Sequence, residues 1–172
     1  MMNNITSTLL LSALATLPMS ALATNTDFGA QGAKQTANPT LEQMMEYAIQ
    51  DEYHAKEEYR LIMQTYGAIR PFTNIIRAEQ KHIERLTSLY QQRGVATPDD
   101  TAKEHVVVPD SLKNAFSTGV SAEIDNIAMY QSFLNSELLK KPENSDIKGV
   151  FTALMNASKN HLSAFERHAN RY

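Results

Sequence analysis

Glu79-Gln80-Lys81-His82 places a carboxylate and an imidazole one helical turn apart, the spacing of two ligands on one divalent metal ion. Phe72, Ile75, Glu79, His82, Leu86 and Leu89 recur in steps of three and four, the pattern of an inward helix face. Ionisable groups on such a face lose hydration, and metal binding is the commonest compensation for a Glu-x-x-His pair. Three other segments carry matching groups. Glu52 is the carboxylate on the stripe Leu41, Met45, Ala48, Glu52, Ala55, Tyr59, Ile62, Tyr66. Glu123 interrupts Leu112, Phe116, Gly119, Glu123, Asn126, Tyr130, Phe133, Glu137, and His161 interrupts Ile147, Phe151, Leu154, Ser158, His161, Phe165, His168. Three carboxylates and two imidazoles suit two divalent ions, iron or manganese best, with zinc permitted by ligand type. One imidazole per ion leaves positions open for water, oxygen or peroxide. Tyr59 and Tyr130 lie two turns from Glu52 and Glu123 on the same stripes. They are candidates to hydrogen-bond ligands or donate electrons, although an inward Tyr is also ordinary core.

Four helices must position these groups. The first begins at Thr40, where Gln43 completes a capping box, and stops at Gly67. Pro71 opens the second, which runs to Gly94. Val95 to Pro109 forms a long connection. The third helix starts near Asp110 or Ser111 and continues to about Leu139; the fourth follows a turn at Pro142 and starts at Asp146. Helices joined short, long, short give an all-α, antiparallel four-helix bundle with one crossover between two hairpins. The hairpins look internally repeated, with Glu79-x-x-His82 corresponding to Ser158-x-x-His161. In an antiparallel hairpin, residues equally far from the turn share a level. Glu52 and His82 are equidistant from Gly67, and Glu123 and His161 are equidistant from Pro142. Both hairpins therefore bring their polar groups to one cross-section near mid-helix.

The whole chain has 172 residues, enough for one domain and a short tail. Its net charge of −3 and lack of a basic block argue against nucleic acid as a partner. With no Cys, disulfides, thiolate metal sites and Cys nucleophiles are excluded. Residues 1–23 read as a signal peptide: Leu9 to Leu17 is a short apolar run, and Ala21-Leu22-Ala23 is a small-x-small cleavage site. The run is too short for stable membrane insertion, so the mature protein is expected to be periplasmic or secreted. The only positive charge before the run is the α-amino group, which leaves a disordered or membrane-tethering N-terminus as the alternative. Residues 24–39 lack periodicity and read as a flexible lead-in to a domain at 40–172. His54 should point away from the stripe and be exposed, His105 reads as a solvated loop residue, and His168 lies near a helix end, where partial exposure is expected rather than ligation.

These residues resemble the ferritin-like superfamily, whose site takes a Glu from each of two helices and a Glu-x-x-His from each of the other two. More narrowly, the chain resembles the ferritin-like family known as Domain of Unknown Function 2202. The resemblance rests on Asp51-Glu52, Arg70-Pro71-Phe72, Ala78 to Ile83, Gly119 to Glu123 with Ile127, and Ala157 to Leu162 with Ala164-Phe165. It covers about residues 41 to 168 and implies metal ligation by Glu52, Glu79, His82, Glu123 and His161. Ser158 stands where a second Glu-x-x-His would have glutamate, and the narrower family also carries Ser there. With one carboxylate fewer, two ions of unequal affinity or a single ion are both open. The expected function is a di-iron (or Fe/Mn) carboxylate centre reacting with oxygen or peroxide, of ferroxidase or peroxidase type. Its partners would be metal ions and a small oxidant, and a homodimer is compatible with it. The alternatives are a protein that sequesters metal without catalysis, and a metal-free helical interaction scaffold with a structural polar network.

Overall fold

The computed structural model describes residues 27–171, and the described residues form six α-helices and no strand. They are α1 (Gly29–Gln35), α2 (Leu41–Tyr66), α3 (Phe72–Gln92), α4 (Leu112–Asn135), α5 (Glu137–Lys140) and α6 (Ser145–Ala169). The expected signal peptide at 1–23 lies outside the described residues.

Local chemistry fixes both ends of α2 and the start of α4. Thr40 accepts from the Gln43 backbone while the Gln43 side chain accepts from the Thr40 backbone, completing the expected capping box. Gly67 ends α2 with φ of 90°, a backbone conformation that a side chain disfavours. Ser111 caps α4 by accepting from Asn114 N. The third helix is shorter than its sequence pattern suggested. Ser136 turns extended, its hydroxyl caps the short α5, and Glu137 is left exposed rather than on the inward face.

α2 packs along α3, and α4 along α6, with α2 also against α4 and α3 against α6. The turns at 67–71 and 141–144 are too short for anything but antiparallel hairpins. Residues 93–111 return along α2: Tyr53 donates to the Pro98 carbonyl (3.4 Å) and Tyr66 to the Pro109 carbonyl (2.6 Å). That return delivers α4 antiparallel to α2. The buried core falls into two apolar clusters, one around Met44, Leu86, Tyr130 and Phe151, the other around Tyr59, Phe72, Phe116 and Phe165. By chain position the polar stripe residues lie between them on all four long helices. Gly119 is needed for close approach in the second cluster, because a Cβ there would lie 2.6 Å from the Phe165 ring.

The stretch expected to be a flexible lead-in is instead partly helical. α1 lies across α2 and α4, with Phe28 and Ala30 buried. Its first amides are held from α2: Gly29 N donates to Gln50 Oε1 (3.1 Å) and Ala30 N to Asp51 Oδ1 (2.8 Å). Lys34 pairs with Asp125 of α4 (2.6 Å). A seven-residue helix has too little periodicity to be read from sequence, and tertiary anchors rather than propensity hold it.

Candidate metal centre

The five residues singled out by spacing converge at one level. Glu52, Glu79 and His82 each offer an atom within 4.8 Å of the others, and so do Glu79, Glu123 and His161. Glu79 belongs to both groups and turns one oxygen to each. His82 Nδ1 lies 2.8 Å from Glu79 Oε2 and 3.0 Å from Glu52 Oε2. His161 Nδ1 lies 3.2 Å from Glu79 Oε1 and 3.4 Å from Glu123 Oε1. Those two contacts are in ion-pair range but poorly aligned, which leaves His161 Nδ1 a buried nitrogen without a hydrogen-bond partner. The two imidazole rings stack with centroids 5.7 Å apart. All five residues are buried.

The two tyrosines complete the arrangement crosswise. Tyr59 on α2 donates to Glu123 Oε1 on α4 (3.0 Å), and Tyr130 on α4 donates to Glu52 Oε1 on α2 (2.8 Å). Each Tyr therefore orients the carboxylate of the opposite helix, which the shared stripe alone did not reveal. Burial, with the Glu123 and Glu52 charges respectively, holds both phenols well above their ordinary range. They are hydrogen-bond donors at neutral pH.

Ser158 and Asn126 stand where further acids would have been natural ligands, and they bond each other. Ser158 Oγ donates to Asn126 Oδ1 (2.6 Å), and Asn126 Nδ2 donates to Asp51 Oδ2 (2.7 Å). The Asn126 amide oxygen is thereby occupied. The cluster keeps one carboxylate between its halves rather than two.

Burial and charge set the protonation. Glu52 is pushed up to about 8, chiefly by burial and against the pull of His82. Glu123 is pushed up to about 7, again by burial first, with His161 opposing. Glu79 suffers the same burial, but the close approach of His161 and His82 overcomes it and brings it down to about 2. Burial also disfavours the imidazolium forms, yet the carboxylates raise His82 to about 9 and His161 to about 10. The metal-free cluster at neutral pH thus holds two imidazolium ions around an ionised Glu79.

A cavity of about 250 Å³ opens beside the cluster and is walled by Glu52, Glu79, Tyr59, Glu123, Asn126 and Ser158. Its outer wall holds residues that the sequence pattern passed over. Asp51 and Glu58 each precede a stripe residue and are seven positions apart, so they line the stripe's edge; that spacing is the signal that could have found them. His54 is half-buried in this wall rather than exposed. His105 is also half-buried, stacked on Phe28 at 3.9 Å, rather than solvated. His168 is half-buried, stacks on Phe116 and donates from Nδ1 to the Ala164 carbonyl, apart from the cluster.

The donor set fits divalent cations. Five buried N and O ligands converge, an imidazole nitrogen lacks a hydrogen-bond partner, and the two oxygens of Glu79 face two separate ligand groups. Among the described residues, no helix is long and apolar enough to cross a membrane.

The chain is similar to an uncharacterized protein of Methanocaldococcus jannaschii, 25% identical over 135 residues, covering 72% of this chain and 71% of that protein. No solved structure matches the chain. The pattern of the uncharacterized protein domain DUF2202 matches residues 42–171, from the start of α2 to the end of α6, and the chain belongs to that family.

Proposed function

We propose that the protein is a ferritin-like four-helix bundle holding two divalent metal ions, iron or manganese, in a carboxylate centre that reacts with oxygen or peroxide. The observation that carries this reading is Glu79, which stands between two Glu/His groups with one oxygen toward each. Glu52 and His82 would complete one position, Glu123 and His161 the other. Such ions, when bound, supply redox electrons and open coordination positions. The chain's own residues do the rest. Glu79 spaces the two positions, Tyr130 and Tyr59 fix the outer carboxylates, and apolar clusters flank the cluster along the helices on either side. Three carboxylates neutralise three of the four charges on two divalent ions, and Asp51 and Glu58 stand close enough to offset the remainder electrostatically.

The crossed tyrosines give a prediction specific to this geometry. Tyr59→Phe should weaken binding at the Glu123/His161 position, and Tyr130→Phe at the Glu52/His82 position. Each should lose about 10- to 100-fold in affinity, the usual cost of removing a hydrogen bond to a metal ligand. Competition titration with a chromophoric chelator measures both steps; equal effects of either variant on both steps would contradict the crossed assignment.

The redox part is tested by anaerobic Fe(II) loading followed by oxygen or hydrogen peroxide. Oxidation faster than the uncatalysed rate, and dependent on Glu79 and His161, is expected. Stoichiometric binding with no turnover would leave a metal-sequestering protein instead, and this reading of the function would fail.

A further inference from the structure

The cavity beside the Glu79 cluster carries charge that the cluster itself does not use. Its walls include the carboxylates of Asp51, Glu52, Glu58, Glu79, Glu123 and Asp125, the imidazoles of His54 and His105, and neither Lys nor Arg. Most of these acids are engaged. Asp51 accepts from Ala30 N and Asn126 Nδ2, and Asp125 from Lys34 and Gln31. Glu58 differs: it is only 4% exposed, and its Oε2 is buried without a hydrogen-bond partner. A buried carboxylate oxygen left unpaired costs stability, and a structural role would have supplied it with a donor.

We propose that this cavity is the path by which divalent cations reach the Glu79 centre, and that Glu58 is a transient cation-binding site along it. The inference rests on the reading of that centre as a metal site. A buried cleft whose walls carry carboxylates and neither Lys nor Arg attracts cations as those acids ionise, and so speeds their arrival. Glu58 sits on α2 and lines the cavity together with Glu52 and Glu123 of the cluster and with Phe28, Ala30 and Gln31 of the segment that packs over it. Its carboxyl is pushed up to about 7 by burial, then by the charges of Asp51 and Glu123. Near neutral pH a passing cation therefore meets a group that ionises at little cost and releases its hold once the ion moves inward. The cation is of the class that the cluster accepts: Fe(II), Mn(II), or Co(II) as a visible probe.

Stopped-flow loading of the whole metal-free protein with Co(II) at low ionic strength tests this. Glu58→Gln should slow loading by about tenfold or more while final occupancy matches the unaltered protein. Glu58→Asp, which keeps the charge, should recover part of the rate. Glu84→Gln removes an exposed acid on α3 outside the cavity, and should load normally. Loading of Glu58→Gln at the unaltered rate would overturn the proposal while leaving the metal centre intact. Absence of Co(II) uptake by the unaltered protein would overturn both. Thermal melting checks the fold: Glu58→Gln removes an unpaired buried acid, so its metal-free form should be at least as stable at pH 8.

Discussion

Glu79→Gln is expected to abolish binding of both metal ions, whereas Glu123→Gln or Glu52→Gln should each impair one. Glu79 alone offers an oxygen to both ligand groups, 2.8 Å from His82 and 3.2 Å from His161. The amide is nearly isosteric but carries one weak acceptor in place of two charged ones, so only one position can retain even a neutral ligand. Loss of a direct ligand should exceed the 10- to 100-fold typical of outer partners, giving more than about 100-fold at each position. Stability of the metal-free protein should fall less than affinity does. Removing one member of a buried ion pair costs about 3–5 kcal/mol when the partner is left uncompensated. Here Glu52 and Glu123, pushed up to about 8 and about 7, can ionise and take over the pairing, so the cost should lie below that range. Titration calorimetry and chemical denaturation of the same variants separate the two effects. If Glu79→Gln retained either ion at full affinity, Glu79 would not be shared.

The second large effect is on pH. Metal ligands must shed their protons, and at pH 7 the cluster holds them on His82, His161 and most of Glu52. Glu123, near about 7, holds roughly half a proton more. Loading two ions should release about three protons, so the product of the two affinities should rise roughly a thousandfold per pH unit near neutrality. Calorimetry in buffers of different ionisation enthalpy counts those protons directly. Release of fewer than one would contradict the protonation described here.

The metal-free protein should show the opposite trend. His82 and His161 are raised from 6.5, so their contribution is complete below 6.5 and is lost as pH climbs through about 9 and about 10. Glu79 is lowered from 4.5, so its contribution is complete above 4.5 and is lost as pH falls through about 2. Glu52 and Glu123 are raised from 4.5, so burying them costs progressively more as pH rises from there to about 8 and about 7. The signs together put the cluster's most favourable pH on the acid side, near 4.5, without metal. Bound ions favour the deprotonated ligands and should move the optimum upward.

Much of this centre was legible because a buried helix face tolerates so few ionisable residues. Glu52, Glu79, His82, Glu123 and His161 each interrupt an apolar stripe, and equal distances from Gly67 and Pro142 place them at one level. The structure brings them together as that argument required. What escaped detection depends on contacts between elements. Tyr59 and Tyr130 bond across α2 and α4, and nothing within one helix announces which carboxylate a Tyr will reach. α1 escaped because its stability comes from Gln50, Asp51 and Asp125, residues distant in the chain. His105 escaped for a similar reason, since its partner Phe28 lay in the stretch read as a flexible lead-in. Glu58 was overlooked because it sits at the stripe's edge, where a helix pattern does not distinguish a solvated acid from one facing a cavity.

The reading of Ser158 also changes. From sequence it marks a missing carboxylate; in the fold its hydroxyl satisfies Asn126, which in turn holds Asp51. The position is a built hydrogen-bond chain rather than a vacancy, and it leaves Glu79 as the one carboxylate shared by the two halves.

Metal content of the native protein, purified without chelators or metal-affinity steps and then titrated with Fe(II) under anaerobic conditions, tests the central claim most directly. Saturation at two divalent ions per chain is expected, with binding of both lost in Glu79→Gln. A chain that binds neither Fe(II), Mn(II) nor Zn(II), or that saturates at one ion unaffected by Glu79→Gln, would contradict it.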